Sequence, residues 1–241
     1  MREQKGPYLS KPSAPQSASL TDPAAQAALG DFYLAQNPRE AVRWYRLAAE
    51  QGSVEAQTAL GECCAKGVGV EQSPEQAADW YTQAAMCGYA RAQYQLALCY
   101  AEGLGRERDE TAAVHWFMRA AVQGDVQAQN RLALCFRDGF GVTKNEEEAV
   151  KWWLRAAKHG SAEAHHALGN CYLTGRGVAQ NKHEAFYRFQ KAAEQDYAPA
   201  QFSLASRYES MGGKKNAAEA RKWLTRAAAQ GYVPAQKKLG K

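Results

Sequence analysis

Cys63, Cys99, Cys135 and Cys171 follow one another at intervals of 36 residues. Thiols so arranged could bridge, hold a metal or attack a substrate. Equivalent places on stacked helices lie roughly 8–10 Å apart, and two Cα atoms must come within roughly 7 Å to be bridged. The register therefore predicts small, buried, reduced packing residues. His159, His165 and His166, with Glu163 close by, form the densest group of metal-type ligands. Zinc needs three or four convergent ligands. Adjacent His165 and His166 point apart on a helix, and no Cys-x-x-Cys accompanies them. No metal and no cofactor is expected. His115 and His183 read as partly exposed helix residues.

Gly67-Val68-Gly69, Gly139-Phe140-Gly141 and Gly175-Arg176-Gly177 have the composition of phosphate loops. A P-loop also needs a preceding strand and a closing Lys-Ser or Lys-Thr. These segments recur in phase with the cysteines, which assigns them to turns. Glu146-Glu147-Glu148 reads as a first helical turn facing the helix dipole. No Ser-His-Asp or Cys-His constellation and no carboxylate pair stands out, so no enzyme is expected.

The elements that carry these residues are helical. The 241-residue chain has 47 Ala, 11 Val, 7 Thr and no Ile. Ala favours helices, whereas β-branched residues favour strands. A parallel-sheet enzyme core is excluded on these grounds. No stretch reaches the roughly 18 consecutive apolar residues of a membrane span. Net charge is +5, but residues 211–241 carry +7, residues 1–20 carry +2, and the stretch between carries −4. A globally basic nucleic-acid surface is not indicated. Residues 1–20 are rich in Pro, Ser, Gln and Lys, which predicts a disordered tail. They contain no apolar signal-peptide core, so a cytoplasmic location is expected.

The repeat itself is explicit. Ala25, Ala56, Ala92, Ala128, Ala164, Ala200 and Ala235 are each followed four residues on by Leu, then by Gly or Ala. Tyr33, Tyr100, Phe136, Tyr172 and Tyr208 come four residues after the Leu, with Cys64 departing. These share one face of a helix A, and the small residue lets a neighbour approach. Trp44, Trp80, Trp116, Trp152 and Trp223 each precede an Ala-Ala pair by four residues, and a Gly follows the pair. They form the core stripe expected of a helix B, with Gly just past its end. The fifth unit has Arg188 and Asp196 in the Trp and Gly places, which makes it the expected weak joint. Asn145, Asn181 and Asn216 read as helix caps, each with Glu three residues on. Repeats start near 22, 53, 89, 125, 161 and 197, with a half-repeat at 232.

Ala164, Leu168, Gly169, Tyr172, Gly175, Gly177 and Val178, preceded by Ala149, Trp152, Ala156, Ala157 and Gly160, give a pattern. That pattern resembles the Sel-one-like repeat (SLR) family over residues 21–241. The resemblance implies an all-α, right-handed α-solenoid of stacked helix-turn-helix repeats related to tetratricopeptide arrays. It implies a scaffold class with diverse partners. Some secreted members carry a bridge between helices A and B, which only Cys64 and Cys87 could supply here.

By analogy with tetratricopeptide arrays, helix A lines a groove. The places one before the aligned Ala and two, six, nine and ten after it do not repeat in this chain. They hold Arg91, Tyr94 and Leu98; Asn130, Leu134 and Arg137; His166, Asn170 and Leu173; and Phe202. Arg91, Tyr94, Leu98, Asn130, Leu134 and Arg137 are expected to form one patch with an apolar centre and basic edge, taking a partner segment with an acidic and a hydrophobic residue. The partner is another protein or peptide, not nucleic acid, and the chain is expected to be a monomer. The reading is a non-catalytic interaction scaffold. Its rivals are an immunity protein that neutralises a bacterial toxin and, a distant third, a β-lactamase-like hydrolase. The basic C-terminal cap, Lys214, Lys215, Lys237 and Lys238, is the competing surface.

Overall fold

A computed structural model describes residues 21–240, so the expected tail at 1–20 lies outside the described residues. Thirteen helices and no strands occur among the described residues. They are α1 (Pro23–Leu34), α2 (Pro38–Glu50), α3 (Val54–Lys66), α4 (Pro74–Met86), α5 (Ala90–Glu102), α6 (Glu110–Val122) and α7 (Val126–Asp138). Then follow α8 (Glu146–Lys158), α9 (Ala162–Thr174), α10 (Lys182–Glu194), α11 (Ala198–Met211), α12 (Lys214–Ala229) and α13 (Val233–Lys238). Odd-numbered helices are the A helices and even-numbered ones the B helices. The chain divides into two compact units, the first running to Cys99 with Gly103–Glu107, the second holding Tyr100–Glu102 and everything from Arg108.

Local sequence sets the helix ends. Asn145 Oδ1 accepts from the Glu148 N–H at 3.0 Å, and Asn181 Oδ1 accepts from that of Glu184 at 3.0 Å. Asn216 does not cap. The Gly212-Gly213 pair lets α12 begin at Lys214, and Asn216 Nδ2 donates back to the Gly212 carbonyl. In the Gly-x-Gly turns, Gly139 ends α7 in the left-handed region at φ 77°. Gly141 has φ 62°, and a Cβ there would collide with the Glu110 carbonyl. The turns thus serve backbone approach.

The core has a row that the sequence reading placed one residue away. Tyr45, Tyr81, Phe117, Trp153, Phe189 and Leu224 are buried, each one position after the Trp row. Phe117 is 2% exposed. Trp44, Trp80 and Trp116 are only half-buried, while Trp152 and Trp223 are buried. The buried row fills the space left by the small residue of helix A. An ideal Cβ on Gly61 would stand 2.6 Å from the Tyr81 ring.

A second row joins repeat to repeat. Gln57, Gln93, Gln129 and Gln201 are buried and donate through Nε2 to the carbonyls of Ala49, Ala85, Ala121 and Ala193, at 3.0–3.3 Å. Gln236 does the same to Ala228 at 3.2 Å. Each bond ties an A helix to a C-terminal carbonyl of the preceding B helix, a carbonyl that also accepts a backbone N–H from just past the helix end, as Ala121 does from Gly124 at 3.1 Å. The Ala one residue earlier accepts from the N-cap N–H of the next helix, as Ala120 does from Asp125 at 3.2 Å. At the junction of α8 and α9 the Gln place holds His165, whose Nδ1 is buried without a partner. That junction lacks the side-chain link and keeps the backbone one, Ser161 N–H to the Ala156 carbonyl at 3.1 Å. Arg188 pairs with Glu184 at 2.7 Å, and Phe189 beside it is fully buried.

Candidate functional site

In the first unit, the A-helix face carries a pocket of about 320 Å³ lined by Asp31, Tyr45, Glu55, Thr58, Glu62 and Arg91, among others. The Tyr45 hydroxyl donates to Asp31 Oδ1 at 2.7 Å. Burial, and then that bond, raises the Tyr45 pKa and keeps the phenol neutral. Arg91 is exposed and donates to Glu62 Oε1 through Nε at 3.0 Å and a terminal nitrogen at 2.7 Å. Tyr94, expected in the groove, is 9% exposed and belongs to the core. Leu98 is half-buried.

In the second unit, the place two after the aligned Ala serves stacking. Asn130, 6% exposed, donates through Nδ2 to Ser161 Oγ at 2.8 Å. His166 packs its ring against Phe189 and Tyr197, with centroids 5.7 and 5.6 Å away, and shares a 3.1 Å hydrogen bond with Ser203. Phe202 meets Tyr232 edge-on at 5.7 Å. Ser161, Tyr197 and Tyr232 are the N-cap residues of the following A helices. This column varies because each member matches the cap it meets. Burial lowers the His166 pKa, so the ring is neutral at pH 7.

The remaining expected residues face outward or lie half-buried. Arg137 and Asn170 are exposed; Leu134 and Leu173 are half-buried. Leu134 and Arg137 are three apart on α7, and Asn170 and Leu173 are three apart on α9, so each pair shares a helix face. Arg137 grips Asp138 with two 2.7 Å hydrogen bonds. That grip holds the Asp138 carboxyl below its usual range. With Arg91 also paired, the expected basic edge is neutralised by carboxylates in both units.

The thiols are not poised for attack. Burial pushes Cys63, Cys135 and Cys171 up to about 11, so they are protonated at pH 7. Cys64 is buried and Cys87 exposed, with no bridge between them. Among the described residues, no three His, Cys, Asp or Glu side chains gather as metal ligands. The sequence reading missed the Gln row and the buried aromatic row, although both recur at the repeat period.

The Sel1 repeat pattern matches residues 23–53, 54–89, 90–125, 126–161, 162–197 and 198–232, one A and B pair in each. The chain belongs to the Sel1 repeat family. Among solved structures it is similar to a Sel1 repeat protein from Oxalobacter formigenes, with 32% identity, 86% of each chain covered and a TM-score of 0.79. It is also similar to c5321, a protective antigen present in uropathogenic Escherichia coli strains that displays an SLR fold. That match has 33% identity and a TM-score of 0.80, and covers 91% of this chain; this chain spans about half of c5321, 49%. The immunity protein Pa5087 from Pseudomonas aeruginosa shares the fold at 21% identity, covering 88% of this chain and 81% of its own, with a TM-score of 0.54. No curated protein matches the sequence. Sel1 repeat proteins are protein-interaction scaffolds, and the family is generally non-catalytic.

Proposed function

We propose that this Sel1 repeat chain is a non-catalytic adaptor that binds a segment of a partner protein on its A-helix face. One observation carries the reading. Once stacking has consumed Asn130, His166 and Phe202, the A helices of the second unit still present Leu134, Arg137 and Asn170, with the half-buried Leu173 packed against the core beside them. These are half-buried or exposed, lie outside the repeating pattern, and join apolar area to polar groups as protein interfaces do. The partner class follows from that mixture. Paired Arg137 and Asp138 offer a donor fork and an acceptor together, so a segment with an amide or hydroxyl beside a hydrophobic residue fits better than an acidic one.

The test selects binding peptides from a random displayed library with the intact chain. It then measures them against Arg137→Ala/Asn170→Ala, a variant of exposed side chains that leaves the fold in place. Affinity should fall at least tenfold for peptides bound here. Equal affinity for both proteins would reject the reading.

A second reading is direct neutralisation of a bacterial toxin, supported by the fold shared with an immunity protein. At 21% identity that likeness extends to the fold alone. Co-expression with a panel of secreted bacterial toxins separates the two: rescue of growth marks an immunity protein, and no rescue leaves the adaptor.

A further inference from the structure

The B helices of the second unit carry a pattern that neither stacking nor the A-helix face uses. Arg119, Arg155, Lys191 and Arg226 occupy one place in four successive repeats, in the last turns of α6, α8, α10 and α12, and all four are exposed. Three lie over the Trp three residues before them. The guanidinium carbons of Arg119, Arg155 and Arg226 stand 5.1, 4.3 and 5.0 Å from the ring centroids of Trp116, Trp152 and Trp223. Lys191 lies 5.7 Å from the Tyr187 ring. In the fifth repeat the pattern survives although the Trp is lost.

Helix ends favour cations, and that would be a sufficient account if every B helix had them. α2 and α4 end in the same Ala-Ala and Gly sequence, yet they hold Leu47 and Gln83 at this place. The row is therefore a property of the second unit and not a requirement of the helix. It is also poorly compensated. Among the described residues, Arg119, Arg155 and Arg226 have no carboxylate within ion-pair distance, and Lys191 has Glu194 at 3.6 Å. Glu148, Glu184 and Glu219 are already paired with Lys151, Arg188 and Lys222. Glu194 and Asp196 border the depression beside Arg226. Resting on rings rather than carboxylates, the cations are held in place while keeping their charge available.

We propose that this row is a second docking surface that takes an extended acidic segment of a partner protein, one carboxylate to a repeat. Charge complementarity selects the segment, and the ring-held cations reduce the ordering cost of binding. A protein segment suits the surface better than a nucleic acid. The aromatic faces lie beneath the cations and cannot stack bases. The Glu row toward the N-terminal ends of the same helices opposes a backbone that carries a phosphate at every nucleotide. The surface lies on different helices from the adaptor face, so either can fail alone.

The probe is a fluorescein-labelled peptide of alternating Glu and Gly, followed by anisotropy at low ionic strength with the full chain. The variant Arg119→Gln/Arg155→Gln/Lys191→Gln/Arg226→Gln should weaken binding at least tenfold, since Gln matches Arg closely in helix propensity. The variant Lys144→Gln/Lys182→Gln/Lys214→Gln/Lys215→Gln removes the same charge elsewhere in the unit and should weaken it less than twofold. If the fourfold row variant does not fold by circular dichroism, Arg119→Gln/Arg155→Gln should still weaken binding at least threefold. Equal losses in the two fourfold variants would overturn the proposal. So would no measurable binding by the unaltered chain, or an oligothymidylate of equal charge that binds the row more tightly than the peptide.

Discussion

Gly169 on α9 and Phe189 on α10 are fitted to each other. An ideal Cβ on Gly169 would lie 2.5 Å from Phe189 Cε1, inside the ring's own volume. The glycine is therefore a socket rather than a flexible point. Gly169→Ala should destabilise the protein by about 1–3 kcal/mol through overpacking. Where other repeats have Ala in this place, the ring's place holds Phe117, Trp153 or Leu224, so Ala is accommodated only by a side chain set differently from Phe189, and Leu is the smallest of the three. Gly169→Ala/Phe189→Leu should accordingly recover part of the loss. Urea midpoints of the three proteins check this, and a double variant no better than the single would sever the two residues.

Phe117 and Trp116 are adjacent and have different roles. Phe117→Ala should cost about 3–5 kcal/mol, as for other fully buried aromatics. Trp116→Ala removes a half-buried ring and should cost clearly less. Denaturant unfolding of both variants orders them, and the reverse order would return the core to the Trp row.

His165 stands where the other repeats have a linking Gln. His165→Gln should supply a donor for the Ala157 carbonyl and add about 1 kcal/mol. The amides of α9 should exchange more slowly with solvent deuterium in that variant. Unchanged exchange would show that the place is occupied without consequence.

Asp196 holds φ 57° where the other B helices are followed by Gly. Asp196→Gly relieves a left-handed conformation that costs an L-residue roughly 1–2 kcal/mol, and gives up the hydrogen bond from Gln201 Nε2. The net should be a rise of a few degrees in the melting temperature. A fall would mean that the Gln201 bond outweighs the backbone.

Thiol chemistry should follow burial and pH. Alkylation of the native protein at pH 7.5 should label exposed Cys87 first, with Cys63, Cys135 and Cys171 labelled only on unfolding. Their folded pKa of about 11 lies above the ordinary 9.0, so between those values the unfolded chain has lost protons that the folded chain keeps. Stability must then fall as pH rises through about 9 to 11. Urea midpoints at pH 7.5 and 10.5 measure the drop, which should shrink in Cys63→Ala/Cys135→Ala/Cys171→Ala.

The helices were legible because the A and B patterns recur in phase through six repeats. α3, α5, α7 and α9 each carry the aligned Ala, the Leu and the small residue of the register at equivalent places. Asn216 misled because a cap is a local signal, and a Gly pair just before it offers an earlier start. The buried aromatic row was overlooked for a different reason. Its members are Tyr, Phe, Trp and Leu, and the space beside a Gly or Ala selects size, not identity. The half-buried Trp row is uniform and draws the eye. At the candidate face, variation alone could not separate Asn130 and His166 from Asn170. The separation lies in partners about thirty residues on, Ser161 and Tyr197, and appears only when the two columns are read together.

The Gln links have a genetic consequence. Every such junction closes with the same donor and the same acceptor, so a whole 36-residue cassette can be gained or lost by recombination without a new joint having to evolve. Excision of residues 162–197 is the instructive case. It would bring Gln201 into the place of His165, and the shortened array would close on Ala157 with a bond its parent lacks. Array length in such a chain can change by whole repeats, because the linking seams are interchangeable.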